Sequence, residues 1–91
     1  MNIVYTVWLR DNSADPSDPD HEWPACFVVV AASAAAGQEW GDHLARVYSA
    51  DRGLEFLRSI SEPADVTGLP GVDGLPVVNY GHEATREEIG W

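Results

Sequence analysis

From residue 25 to residue 32 the chain reads Ala-Cys-Phe-Val-Val-Val-Ala-Ala, with no charged or amide side chain on either face. A run of this kind is stable only when covered from both sides, as a central strand or at an interface between copies. It is short and rich in β-branched residues, which predicts strand rather than helix. The rest of the sequence has to supply the cover.

The first candidate is the segment from Asn2 to Arg10. Ile3, Tyr5, Val7 and Leu9 fall on one face of a strand, and Val4, Thr6, Trp8 and Arg10 on the other. The wholly apolar face is expected to meet the core, and the mixed face to stand half exposed. Residues 11–24 then break the pattern with three prolines, which remove backbone donors and disfavour helix in the residues before them. A long connecting loop is predicted there.

After the apolar run, Ser33 is suited to cap a helix. At 3.6 residues per turn, Ala36, Gly37, Trp40, Leu44, Val47 and Tyr48 form one stripe. Gln38, Glu39, Asp42, Arg46 and Ser49 cover the opposite side, with Asp42 and Arg46 spaced for an ion pair worth ~0.3 kcal/mol. His43, at the rim of the stripe, is placed to pair with Glu39. The helix is expected to end near Ala50, with Gly53 just beyond it. Gly37, on the stripe, would let the helix approach a sheet closely.

Leu54 to Ser61 reads as a weaker strand, where Arg58 suggests an edge position. A second loop follows over 62–74, in which Gly-Leu-Pro occurs at 68–70 and again at 74–76. Leu75 to Tyr80 is a short fourth strand, and Thr85 with Glu88 has capping-box spacing. Trp91 is placed to fold back on the body.

These elements predict a single α+β domain over 1–91: a two-layer sandwich with a small, mostly antiparallel sheet. The chain order is β-β-α-β-β, with one main helix on one face and a short C-terminal helical turn. A β-grasp arrangement and a truncated ferredoxin-like arrangement both fit that order. One helix covers only one face of the doubly apolar strand. Either loops and the C-terminal turn close the other face or a second chain does, which points towards a homodimer.

Charge narrows the function classes. Fifteen acidic side chains against five arginines give a net charge of −10, which argues against nucleic acid and anionic lipid as partners. No apolar run reaches the ~18 residues of a membrane span, and the N-terminus lacks a signal-peptide layout. With one cysteine, neither an intrachain disulfide nor a thiolate zinc site is expected. A cytoplasmic protein is the expectation. Five of the acids, without a single base, lie in residues 11–22.

Several patterns approach a known chemistry and stop short. Asp11, Ser13, Asp15, Ser17 and Glu22 have the spacing of calcium ligands in an EF-hand loop. Pro16 stands where that loop needs glycine, however, and a strand precedes it where a helix belongs. His82-Glu83-Ala84-Thr85-Arg86 opens like a zincin motif but lacks the second histidine. Cys26 lies in the most apolar segment, where a thiol is inert rather than nucleophilic. Phosphate-binding loops, nucleotide fingerprints and Ser-His-Asp patterns are absent. No metal, cofactor or catalytic residue is assigned.

What remains favours a binding protein over an enzyme. We expect a small acidic regulatory module that engages a basic protein partner, as an inhibitor or immunity-type protein would. Its surface would comprise Asp11, Asp15, Asp18, Asp20 and Glu22, with Trp8 and Trp23 as aromatic anchors. Two rivals belong to other classes. One is a small enzyme with Asn79, Tyr80, His82 and Glu83 as its polar groups and His82 as base. The other is divalent-cation binding by the acidic loop.

Overall fold

The computed structural model describes residues 1–13, 15, 17–18, 21–65 and 74–91. Strand β1 spans Asn2–Arg10, β2 Glu22–Val30, β3 Glu55–Pro63 and β4 Val77–Asn79; helix α1 spans Ala34–Arg52 and α2 Arg86–Ile89. The four strands form one sheet in the order β3-β1-β2-β4. β1 is antiparallel to both β2 and β3, whereas β4 runs parallel to β2. The protein is therefore α+β, with a mostly antiparallel sheet and one main helix.

Strand order and direction match neither arrangement proposed from the sequence in full. The crossover from β2 through α1 to β3 leaves β1 between the strands it joins, a split β-α-β unit of the ferredoxin-like kind. The parallel pairing of β4 departs from that pattern. In a β-grasp sheet β1 would have a parallel neighbour, and both of its neighbours here are antiparallel.

The alternation in β1 determines the core. Ile3, Tyr5, Val7 and Leu9 are fully buried and face the helix together with Phe27, Val29 and Val78. Each such aliphatic or aromatic side chain contributes roughly 1.5–3 kcal/mol by leaving water. α1 lies close to this face because it presents glycine there. A Cβ on Gly37 would fall 2.7 Å from Ile3 Cγ2, and one on Gly41 would fall inside contact distance of the Tyr5 ring. Ser33 caps the helix by accepting a hydrogen bond from the Ala36 amide, and Gly53 ends it in the left-handed conformation at φ 69°.

Several boundaries and two faces differ from expectation. β2 begins at Glu22 rather than Ala25, so Pro24 lies inside the strand. It is tolerated because β4 pairs only with Val28–Val30, so that among the described residues no strand lies beyond β2 at Pro24 to receive a hydrogen bond. The third strand extends to Pro63, and the fourth shortens to three residues. On α1 the buried stripe runs through Gly37, Gly41, Leu44, Ala45 and Ser49, while Val47 is exposed. Ser49 satisfies its buried hydroxyl by donating to the Ala45 carbonyl, 2.7 Å away. The expected strand face behind Leu54–Ser61 is also interrupted: Leu57 bulges between Phe56 and Arg58, which pair with Leu9 and Trp8.

At the C-terminus the capping box forms. Thr85 Oγ1 accepts from the Glu88 amide, and the Glu88 carboxylate accepts from the Thr85 amide. Trp91 folds back edge-on to both Phe27 and Tyr48, with centroids 5.3 and 5.2 Å away. No helix among the described residues is long and apolar enough to cross a membrane. The first Gly-Leu-Pro, at 68–70, lies outside the described residues.

Candidate functional site

The turn end of the β1–β2 hairpin carries the acidic loop. Its base is closed by the Asp11 amide donating to the His21 carbonyl at 2.8 Å, with His21 Nδ1 3.1 Å from the Asp11 carbonyl. Two aspartates then fold the loop on itself. Asp11 Oδ1 accepts from the Ser13 amide and hydroxyl, at 3.0 and 2.5 Å. Asp15 Oδ1 accepts from the Ser17 amide and hydroxyl, at 2.9 and 2.8 Å. These are Asx turns, in which a short carboxylate replaces a backbone acceptor. The Ser17 amide, followed by its hydroxyl, holds the Asp15 carboxyl below its usual range.

Below the loop, Arg10 forks between two strands. Its guanidinium lies 2.7 Å from Glu22 on β2 and 3.0 Å from Glu55 on β3. The hydrogen bond from Arg10 is the main cause of the lowered Glu22 pKa. Beside this bridge, Arg58 lies 4.0 Å above the Trp8 ring.

The structure thus groups Trp8, Glu22 and Arg58 on the sheet face away from α1, with Asp11, Asp15 and Asp18 in the adjoining loop. Trp23 is not part of that group. It pairs with Leu9, so it shares the helix-facing side and packs against the core, whereas Trp8 pairs with Pro24 and faces the opposite way. The i, i+2 row Trp23, Ala25, Phe27 and Val29 carried this signal, concealed by the assumption that Pro24 ends the loop. Asp20 lies outside the described residues. Both tryptophans are half buried.

The ligands proposed for calcium do not converge. Asp11 and Asp15 are turned inward on separate serines, and Glu22 is held by Arg10. Among the described residues no group of three or more His, Cys, Asp or Glu side chains is arranged to hold a metal. Cys26 is half buried, and burial raises its thiol pKa, away from nucleophilic character.

The residues suggested for an enzyme site serve to attach the C-terminal segment to α1. His43 does not pair with Glu39; its Nε2 lies 2.7 Å from Glu83. His82 lies 2.8 Å from Glu88, and this contact is the main cause of the lowered Glu88 pKa. Trp40 is the hub. It stacks on His43 at 4.7 Å, packs against Tyr80, and donates from Nε1 to the His82 carbonyl at 3.0 Å. The Tyr80 hydroxyl reaches Glu39 at 3.3 Å. A cavity of about 340 Å³ lies nearby, between Leu44, Val47, Tyr48 and Asp51 of α1 and the segment holding Arg86 and Ile89. His82 and Glu83 do not line it; both are exposed outside it.

One polar cluster was not anticipated. The Tyr5 hydroxyl, under α1, donates to Asp42 Oδ1 at 2.7 Å, and the Ser59 hydroxyl donates to the same oxygen at 2.6 Å. Gln38 completes the group through Asp42 and Ser59. Asp42 therefore serves the buried tyrosine, and Arg46 lies over the Phe56 ring at 4.2 Å. Burial, reinforced by the bond to Asp42, raises the Tyr5 pKa well above that of a free phenol. A locked, neutral phenol with every partner satisfied positions a helix and is unsuited to proton transfer.

Comparisons with protein-family models, with characterised proteins and with solved structures find no match to this chain.

Proposed function

We propose that this protein is a small acidic binding module whose loop at residues 11–22 docks on a basic protein partner, in the manner of an inhibitor. One observation supports this above the others. Among its described residues, the Asp11 and Asp15 carboxylates are fixed by Ser13 and Ser17, and the base of the loop by the Asp11–His21 closure. Exposed negative charge held in one geometry steers a positive partner and loses little entropy when it binds. Trp8, capped by Arg58, adds a flat aromatic surface beside the loop, and Glu22 and Glu55 extend the negative rim. Trp23 contributes from beneath, by pinning the start of β2 to the core.

The test is titration of the isotopically labelled protein with an oligoarginine peptide, followed by amide chemical shifts. Shift changes should concentrate in residues 11–22 and at Trp8, weaken with salt, and diminish in the Asp15→Asn/Asp18→Asn variant. Changes spread evenly over all acidic regions, or insensitive to that variant, would refute the proposal.

A further inference from the structure

β3 forms one edge of the sheet, and its side chains form a self-complementary code. Arg58, Ile60 and Glu62 pair with Trp8, Thr6 and Val4 of β1, so all three stand on the face that α1 leaves open. Ile60, in the middle of the strand, is 49% exposed. A positive and a negative residue flank it, each two positions away.

From this geometry we infer that β3 pairs with β3 of a second copy. The two strands run antiparallel about a two-fold axis through Ile60 and extend the sheet across both chains. Edge strands present unpaired backbone groups that a neighbouring strand can satisfy. What is specific here is the register. With Ile60 opposite Ile60, Arg58 of each copy faces Glu62 of the other, twice over. Moving the axis by one residue sets Arg58 opposite Ile60 or Ile60 opposite Glu62. Moving it by two sets arginine against arginine or glutamate against glutamate. Opposite charges directly across an antiparallel pair stabilise it and like charges destabilise it, so the pattern admits one register and penalises its neighbours. The bulge at Leu57 and the proline at 63 confine regular pairing to residues 58–62. The result is a weak, reversible dimer rather than a growing sheet.

This surface meets the proposed docking surface at Arg58, which also caps Trp8, but takes in no residue of the acidic loop, so Asp15→Asn/Asp18→Asn should leave self-association unchanged. The experiment is sedimentation over a concentration series for the full chain and three variants. Arg58→Glu and Glu62→Arg should each weaken the dimer by about tenfold or more, because each turns two attractive pairs into two repulsive ones. The double variant restores the pairing with its signs exchanged and should recover the original affinity. Net charge alone predicts something different: Glu62→Arg brings the chain nearer neutrality and would then strengthen association. In the unmodified protein, amide exchange within 58–62 should slow as concentration rises, a readout that needs no variant to fold. A protein that is monomeric at every concentration, a dimer indifferent to the single reversals, or a folded double variant that fails to recover would each overturn the inference.

Discussion

Gly41→Ala reverses a familiar sign. In an open helix position that change stabilises by about 1 kcal/mol, because alanine loses less backbone entropy. Here the added methyl would overlap the ring of Tyr5, whose side chain is fully buried. The ring has no room to yield, since its hydroxyl is held by Asp42 at one end and its face packs against Phe27 at 5.3 Å. Overpacking of this kind costs about 1–3 kcal/mol. Set against the propensity gain, a net loss of about 0–2 kcal/mol results, and the fixed ring places it towards the upper end, with the melting temperature falling by roughly 4–8 °C per kcal/mol in a domain of this size. Gly37→Ala provides the internal comparison. Its methyl would fall 2.7 Å from Ile3 Cγ2 and 2.8 Å from Ile3 Cβ, and the Cβ moves only with the strand backbone. It too should destabilise. Urea and thermal unfolding of the two variants beside the parent would measure both. A Gly41→Ala protein as stable as the parent, or more so, would refute the close helix–sheet contact on which the core depends.

Two further outcomes follow from the polar contacts. Tyr5→Phe removes the buried hydroxyl that joins α1 to β1 and should cost about 0.5–1.5 kcal/mol by urea unfolding, whereas no loss would mean the bond to Asp42 is idle. On the acid side, Asp15, Glu22, Glu87 and Glu88 all have folded-state pKa values below their ordinary ones. Their contribution is complete above the unfolded carboxylate pKa, 4.5 for glutamate, and is lost as pH falls through the depressed folded values. Unfolding between pH 6 and pH 3 should show that loss, and Glu88→Gln should flatten part of the slope; an unchanged slope would remove the His82–Glu88 contact from the account.

Features set by local chemistry could be read from the sequence. The period-two alternation from Ile3 to Leu9 specified the buried face of β1, and Ser33, Gly53, Thr85 and Glu88 announced the helix ends they make. Features set by tertiary neighbours could not. Pro24 looks like a strand terminator until β4 is seen to cover only the far end of β2. Ser49 looks like a solvent-facing residue until the buried stripe of α1 is seen to run through Gly41 and Ala45. Asp42 was assigned to Arg46 by helical spacing alone, but a buried phenol is the more demanding partner and takes it. For the candidate surface, the acidic residues were evident from composition. That Trp8 and Trp23 face opposite ways follows from a register that depends on where β2 begins. Parallel pairing of β4 leaves no local signature at all, because the side chains of Val77–Asn79 alternate in the same way whichever direction the strand runs.

The doubly apolar strand that constrained the fold is resolved unequally. Phe27 and Val29 are buried beneath α1, as a two-layer protein requires. On the opposite face lies no helix of the described residues, yet Val28 and Val4 are only 3% exposed. Register supplies part of the reason: Glu62, Val4, Val28 and Val77 form one row across all four strands, so the inner valines are flanked on both sides by neighbours in the sheet. Exposure is displaced to the ends of such rows, onto Val77 of β4 and, one row along, onto Ile60 of β3. Among the described residues the exposed apolar side chains of this face therefore stand on its edge strands. The two edges are not equivalent, because β4 has three residues and β3 has nine. Only β3 offers enough strand to be extended, and there the exposed isoleucine lies between an arginine and a glutamate that specify how a second copy would pair.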